Sequence, residues 1–236
     1  MTEFINPVKQ RLSEGKVAWG VGLLDCSDML AKLSVDTGPD FLWIDLEHRA
    51  YGPNEVRWAP IICRQAGVSP MIRVPGLESN WIKKALDIGA STIMVPQVDT
   101  AEQAKLAVEY CKYPPEGSRG VSPLWPMMMN VSWDDYLPVA NEETAVVVQI
   151  ESPLGLENVD EIAAVEGVDV VFAGPRTSLL RWESSASHDI RTSSRSSTGS
   201  PSVWPSSASR QVSPMSVMNT RPGGETAATG SSTSAP

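Results

Sequence analysis

The sequence predicts an α/β fold of the (β/α)8 barrel type, and three observations carry that prediction. Short apolar runs rich in β-branched residues alternate with segments of helical periodicity along most of the chain. The clearest unit is 146–173, where two such runs flank a helix with Leu156, Val159 and Ile162 on one face. Runs that are apolar throughout are typical of strands covered on both faces, as in a parallel sheet. Polar residues follow several of these runs, where such folds keep their functional groups.

Seven strands are predicted from this alternation, the first of them interrupted by glycines. They cover residues 17–23, 41–45, 69–74, 91–95, 117–121, 146–150 and 168–173. A (β/α)8 barrel usually takes about 250 residues. A chain of 236 residues is therefore a tight fit for one.

The predicted helices are bounded by local signals. Pro53 suits a first helical turn, Gly89 suits a helix end, and Thr100 with Gln103 forms a capping box. Pro114 stops the helix that Thr100 begins. The helices cover residues 6–13, 27–33, 53–65, 80–88, 100–113, 133–140 and 154–165.

Composition excludes several classes of partner. A net charge of −9 argues against binding to nucleic acid or to an anionic membrane. No apolar run approaches the ~20 residues that span a bilayer, and the first residues contain no apolar signal segment. Cys26, Cys63 and Cys111 are odd in number and lack CxxC spacing, which indicates reduced thiols. We therefore expect a cytoplasmic protein with no nucleic-acid and no membrane partner.

The character of the chain changes near Arg176. From about residue 181 it is rich in Ser and Thr and has neither a strand nor a helix period. Such a composition buries too little apolar surface to offset chain entropy. We predict an incomplete barrel domain over 1–176, truncated after about seven strands, and a disordered tail over 177–236, where an eighth strand is expected.

Two acids and a histidine follow the second predicted strand. A carboxylate of Asp45 or Glu47 beside the imidazole of His48 would raise its basicity and orient it as a general base. The alternative is a structural histidine at a strand end.

Three further charged residues are candidates. Arg73 ends the next strand and suits bidentate binding of a substrate carboxylate, the alternative being a buried ion pair with Asp45 or Glu47. Glu151 follows a later strand and suits Mg²⁺ or Mn²⁺, although one carboxylate does not make a site. Asp87 lies near a helix end and is alternatively a solvated surface residue.

Several well-known motifs do not occur in the sequence. It contains no GxGxxG, P-loop, HExxH or GxSxG pattern. Their absence weighs against nucleotide-binding, zinc-peptidase and serine-hydrolase functions.

Four segments together resemble the HpcH/HpaI class II aldolases, which include the 2-dehydro-3-deoxyglucarate and 4-hydroxy-2-oxo-heptanedioate aldolases. The segments are FLWIDLEH (41–48), MIRVPG (71–76), STIMVPQVDTAEQAKLAVEYCKYPPEGSRGV (91–121), and VVVQIESPLGLENVDEI with GVDVVFAGP (146–175). The resemblance covers about residues 5–175. It implies a (β/α)8 barrel of the phosphoenolpyruvate/pyruvate type, a divalent metal (Mg²⁺, Mn²⁺ or Co²⁺) and a 2-oxo acid substrate.

The resemblance also implies residue roles. It makes His48, supported by Asp45, the catalytic base, with Glu47 and Asp87 in the proton-handling neighbourhood. Arg73 would hold substrate and neutralise the enolate oxygen. The remaining implied contacts are Gln149, Gly174 and Pro175 for substrate and Glu151 for the metal.

The chain departs from the family pattern in two places. Arg49 stands where the family usually has glycine after the histidine. The family's Gly-Pro-x-Asp-Leu is replaced at 174–178, so the slot of the second metal carboxylate holds Thr177.

We infer a reading-frame change at Arg176. A one-base shift of codons compatible with this segment restores Asp-Leu after the Gly-Pro pair, followed by a helical pattern in place of the Ser-rich tail. A splicing error is a variant of the same hypothesis, and a genuine low-complexity tail is the alternative.

The expected function is metal-dependent retro-aldol cleavage of a 4-hydroxy-2-oxo acid to pyruvate and an aldehyde, impaired in the chain as written. The alternatives are a non-catalytic remnant that binds a 2-oxo acid, and an enzyme like the citrate-lyase β-chain or malyl-CoA lyase. The resemblance implies a homo-oligomer built partly through C-terminal helices. Because the sequence lacks those helices, we expect assembly to be impaired.

Overall fold

In a computed structural model of the chain, residues 6–173 are described, together with the backbone of 218–219. The strands are β1 (Gly20–Gly22), β2 (Phe41–Asp45), β3 (Ser69–Arg73), β4 (Thr92–Val95), β5 (Ala145–Ile150), β6 (Val170–Ala173) and β7 (Met218–Asn219). They form one sheet in the order β1 to β7. Neighbours from β1 to β6 are parallel, and β7 pairs antiparallel with β6. The predicted α/β fold with a parallel sheet, curled as part of a barrel, is confirmed.

One helix precedes β1, and the others lie between successive parallel strands. They are α1 (Pro7–Ser13), α2 (Asp28–Val35), α3 (Ala59–Gln65), α4 (Ser79–Asp87), α5 (Ala101–Cys111), α6 (Trp125–Met128), α7 (Trp133–Tyr136), α8 (Ala140–Glu143), α9 (Pro153–Glu157) and α10 (Val159–Ala163), with a 3-10 turn at Leu137–Val139. The predicted capping box is present, since Thr100 and Gln103 bond each other's backbone N–H at the start of α5.

Alternation along the strands creates two apolar layers. Leu42, Ile72, Ile93 and Val148 belong to the cluster that packs the sheet against the helices. Side chains at the intervening positions point to the concave face and form a second cluster. Its members are Val8, Leu12, Ala18, Phe41, Met71, Met94, Val147, Val170 and Phe172.

The N-terminal end of the sheet is closed by α1. Asn6 caps this helix by accepting from the N–H of Val8. Its side-chain amide donates to the carbonyl oxygens of Ser91 (2.8 Å) and Glu143 (3.0 Å) and to Oγ1 of Thr92 (3.1 Å). The functional end of the sheet is therefore the opposite one, where the strands finish.

One predicted strand is wrong. Residues 117–121 are irregular, because their backbone turns back onto the end of α5. Ser118 N–H donates to the carbonyl of Glu109 (2.9 Å) and Arg119 N–H to that of Lys112 (2.9 Å). These bonds use the donors that a sheet neighbour would need. The parallel sheet consequently has six strands over the described residues rather than seven.

Three predicted helices differ in extent. The segment 133–140 is divided into α7, the 3-10 turn and the start of α8. The segment 154–165 is divided into α9 and α10 at Asn158, whose side-chain amide donates to the carbonyl of Asp99 at 2.8 Å. The helix predicted from Pro53 begins only at Ala59, after a series of turns. Except for β7, the predicted tail lies outside the described residues.

Two further sequence predictions concern single features of the chain. The three cysteines, all within the described part, are free thiols. In that same part, no helix is long and apolar enough to cross a membrane.

Candidate active site at the ends of the strands

The predicted site residues meet because parallel strands end at the same edge of a sheet. Asp45 is the last residue of β2 and is in register with Arg73, the last residue of β3. Gln149 lies near the end of β5, and Glu151 follows that strand directly. The sheet therefore brings acids, an amide and a guanidinium from three strands into one cluster.

Arg73 is the centre of this cluster. Its Nε donates to Oδ1 of Asp45 at 3.0 Å and its Nη2 donates to Oδ2 at 2.7 Å. Its Nη1 lies 2.8 Å from Oε2 of Glu47 and 3.5 Å from Oε1 of Gln149. The guanidinium is 7% exposed, so these carboxylates hold a buried positive charge.

The Asp45 carboxylate also bonds the backbone of the turn after β2. Its Oδ1 accepts from the backbone N–H of Glu47 (3.0 Å) and of His48 (3.3 Å), which shapes the turn after β2. Burial works against ionisation of Asp45. The hydrogen bonds and charge of Arg73, with the two backbone N–H groups, outweigh it and lower the pKa of Asp45 below its ordinary value.

His48 stands at the mouth of the cluster with its side chain 67% exposed. Its Nε2 lies 3.5 Å from Oε2 of Glu47. The residues alone left the support of the imidazole open between Asp45 and Glu47, and the family resemblance implies Asp45. In the structure the carboxylate of Asp45 contacts the backbone N–H of His48. Glu47 is the carboxylate beside the ring, because Asp45 is already committed to Arg73 and to the turn.

Glu151 faces the same cluster from β5. Its Oε1 accepts from Nε2 of Gln149 at 2.8 Å. Burial and the nearby charge of Glu47 raise the pKa of Glu151, while Arg73, His48 and the backbone N–H of Gln97 act in the opposite direction. Two mutually repelling carboxylates therefore lie on this side of the site.

Two neighbours of the cluster were missed by the sequence analysis. Gln97, in the loop after β4, donates from Nε2 to Oε1 of Glu47 at 3.3 Å. Its backbone has a left-handed φ of 56°, which no local sequence signal announces for a glutamine. Trp43, inside β2, lies under the guanidinium of Arg73, with 4.8 Å from Cζ to the ring centroid. In the sequence it reads only as one more apolar strand residue.

Asp87 is placed elsewhere. It ends α4, and helices of this fold run back from the functional edge of the sheet, so its position is at the other end. Its Oδ1 accepts from Nη2 of Arg119 at 3.0 Å, and burial raises its pKa despite that partner. Within this chain it does not join the strand-end cluster. Gly174, Pro175 and Thr177 lie outside the described residues.

The acidic side chains and the histidine at the strand ends are the candidate ligands for a metal ion. Over residues 6–173, no group of three or more His, Cys, Asp or Glu side chains is arranged to hold an ion. Glu151 fits as one oxygen ligand, since a dication would relieve its repulsion from Glu47. Among the described residues, Glu151 is thus a single candidate ligand and not a metal site.

The chain is similar to a known family model and to known proteins that share one name. Residues 24–189 match the family model described as HpcH/HpaI aldolase/citrate lyase. The chain is 41% identical over 172 residues to a hydroxypyruvate/pyruvate aldolase of Roseobacter denitrificans, covering 72% of this chain and 67% of the relative. It is 43% identical over 177 residues to a protein of the same name from Deinococcus radiodurans, covering 72% and 62%. The chain thus spans less than two thirds of that second relative's length.

A solved structure is similar as well. The crystal structure of an HpcH/HpaI aldolase/citrate lyase family protein from Burkholderia cenocepacia superposes with a TM-score of 0.66 at 36% identity. The similarity covers 73% of this chain and 70% of that one.

Proposed function

The chain belongs to the HpcH/HpaI aldolase/citrate lyase family, and we propose that its site is built for retro-aldol cleavage of a 4-hydroxy-2-oxo acid to pyruvate and an aldehyde. The observation that supports this most is the buried guanidinium of Arg73, fixed by Asp45 beside an exposed histidine. Negative charge that develops on a 2-oxo acid during cleavage needs a fixed positive charge close by. An imidazole reachable from solvent is suited to the accompanying proton transfer.

In this proposal each residue has a separate task. His48 accepts the proton of the 4-hydroxyl group as the bond between C3 and C4 breaks, and Glu47 stabilises the imidazolium. The bonding electrons pass to the 2-oxo group, where Arg73 offsets the charge, and protonation at C3 completes pyruvate. Gln149 bonds both Arg73 and Glu151 and so aligns the two halves of the site.

Glu151 would be one ligand of Mg²⁺, Mn²⁺ or Co²⁺. When bound, such an ion supplies Lewis acidity that stabilises negative charge on the 2-oxo acid. The residues described provide this single carboxylate for it, and the slot of the second belongs to Thr177.

We further propose that the chain with this sequence is impaired in binding the metal ion. Mg²⁺ is usually held through only one or two protein carboxylates, so losing one weakens binding greatly. Arg176 adds a positive charge next to the same slot. Its repulsion of a dication, which carries two unit charges, would be on the order of 2 to 8 kcal/mol at ~4 Å, depending on the local dielectric.

The experiment measures pyruvate released from 4-hydroxy-2-oxo acids with and without Mn²⁺ or Mg²⁺. The chain as written is expected to show no metal-stimulated release, and Thr177→Asp or the frame-restored chain is expected to recover it. His48→Asn in the restored background is the control that ties activity to this site. Equal activity and equal metal response in the original and restored chains would refute the assignment of position 177.

A second candidate is a remnant that binds a 2-oxo acid without cleaving it. The intact Arg73, Asp45 and Gln149 network supports it, because these contacts do not involve residue 177. Binding of pyruvate or oxalate without turnover by the chain with this sequence, measured by calorimetry, would favour this candidate.

Cleavage of a CoA thioester instead of a free acid would favour the third alternative, an enzyme like the citrate-lyase β-chain. Homo-oligomer formation and cytoplasmic location stay predictions.

A further inference from the structure

Trp43 lies directly beneath the charged centre of the site. It is an inward residue of β2, two positions before Asp45, and its ring joins the cluster on the concave face of the sheet. The guanidinium carbon of Arg73 lies over the ring at 4.8 Å from its centroid. That distance is within the range in which an aromatic face attracts a cation.

The neighbouring strand leaves room for this ring. Gly22 of β1 is in register with Trp43, and a Cβ added there would lie 3.9 Å from Cε3 of the indole. The indole thus lies against a strand position with no side chain of its own. Two residues earlier, Gly20 and Phe41 repeat the arrangement, with a Cβ at Gly20 coming within 2.2 Å of Phe41 Cε2. Glycines of β1 and aromatic rings of β2 therefore pack as matched pairs.

Within residues 6–173, no hydrogen bond of the indole nitrogen orients the ring. Nε1 of Trp43 is buried and finds no hydrogen-bond partner among the described residues. A buried indole N–H usually has a partner. The ring is therefore held by contacts of its faces, and one of those contacts is with Arg73.

We infer that Trp43 is a positioning residue that fixes the guanidinium of Arg73 for binding of a 2-oxo acid, an assignment that rests on the proposed function. Asp45 restrains the guanidinium through two hydrogen bonds directed along its plane. The face of the Trp43 ring contacts the guanidinium from one side of the guanidinium plane. Hydrogen bonds that lie in that plane restrain movement out of it only weakly. Together Asp45 and Trp43 leave the Nη1 end directed toward Glu47 and Gln149.

The test is oxalate binding by the full chain, measured by calorimetry with Mn²⁺ in excess. Trp43→Leu is expected to weaken binding about tenfold, because the cation loses its aromatic partner. Trp43→Phe keeps a ring face and should stay within about threefold of the unmodified chain. Phe41→Leu is the matched control, since it removes an inward aromatic residue of the same strand, whereas the ring over which Arg73 lies is that of Trp43.

A double-mutant cycle separates positioning from general packing. If Trp43 acts through the guanidinium, Trp43→Leu should have little further effect on oxalate affinity in an Arg73→Lys background. Equal affinity of Trp43→Leu and the unmodified chain would overturn the inference. Phe41→Leu weakening binding as much as Trp43→Leu would also overturn it. Failure of both the unmodified and the frame-restored chain to bind oxalate would overturn the proposed function itself, and this assignment with it.

Discussion

Replacing Asp45 by asparagine tests whether the buried pair with Arg73 holds the site together. The side chains of Arg73 and Asp45 are 7% and 14% exposed, and the bonds between them measure 2.7 and 3.0 Å. Removing one partner of a fully buried pair destabilises a protein by about 3–5 kcal/mol. Because Glu47 remains 2.8 Å from Arg73, Asp45→Asn should lower the free energy of unfolding by about 2–3 kcal/mol.

The measurement is urea unfolding followed by tryptophan fluorescence. The control is Asp36→Asn, which breaks the surface pair of Lys32 and Asp36, with side chains 61% and 54% exposed. Exposed pairs of this spacing contribute only about 0.3–0.5 kcal/mol. Similar losses in the two variants would refute the view that Arg73 depends on Asp45.

The pH dependence of the free energy of unfolding is an independent test of the ion pair. The pKa of Asp45 is lowered in the folded chain from an ordinary value of 3.8. Its contribution to stability is therefore present above that value and is lost as the pH falls through the folded pKa. The difference between the unmodified chain and Asp45→Asn should persist from neutral pH down to about pH 4 and shrink below it. A difference that grows on acidification would contradict the ion-pair explanation.

Two further predictions concern Glu151 and the glycines of β1. Glu151→Gln should raise the melting temperature at pH 7, because the pKa of Glu151 is raised above 4.5 by burial and by Glu47, and its charged form therefore opposes folding. The gain should vanish in acid, and a lower melting temperature at pH 7 would count against repulsion from Glu47. Gly20→Ala should destabilise the chain by about 1–3 kcal/mol in urea, because its Cβ would lie 2.2 Å from Phe41. Gly22→Ala, with 3.9 Å of room, should be tolerated, and equal losses would show that β1 is not closely packed.

The sequence determined the α/β class and most strand positions because these depend on local periodicity. The apolar runs predicted at 41–45, 69–74 and 146–150 occur as β2, β3 and β5, with bounds that differ by at most one residue. It failed at 117–121, where the chain turns back onto α5 through backbone bonds that no side-chain pattern encodes. It also could not show that Asn158 divides the helical segment, since that break depends on a contact with Asp99.

For the site, the sequence identified which residues end strands, and parallel order alone then gathers Asp45, Arg73 and Glu151. What it left open, only the tertiary structure decided. The sequence could not show which carboxylates lie beside Arg73, and the structure places Asp45 and Glu47 both within ion-pair distance of it. The contributions of Gln97 and Trp43 depend on a left-handed backbone at Gln97 and on the approach of Arg73, from the neighbouring strand, to the ring of Trp43. These contacts join residues far apart in the chain, so the local sequence pattern does not predict them.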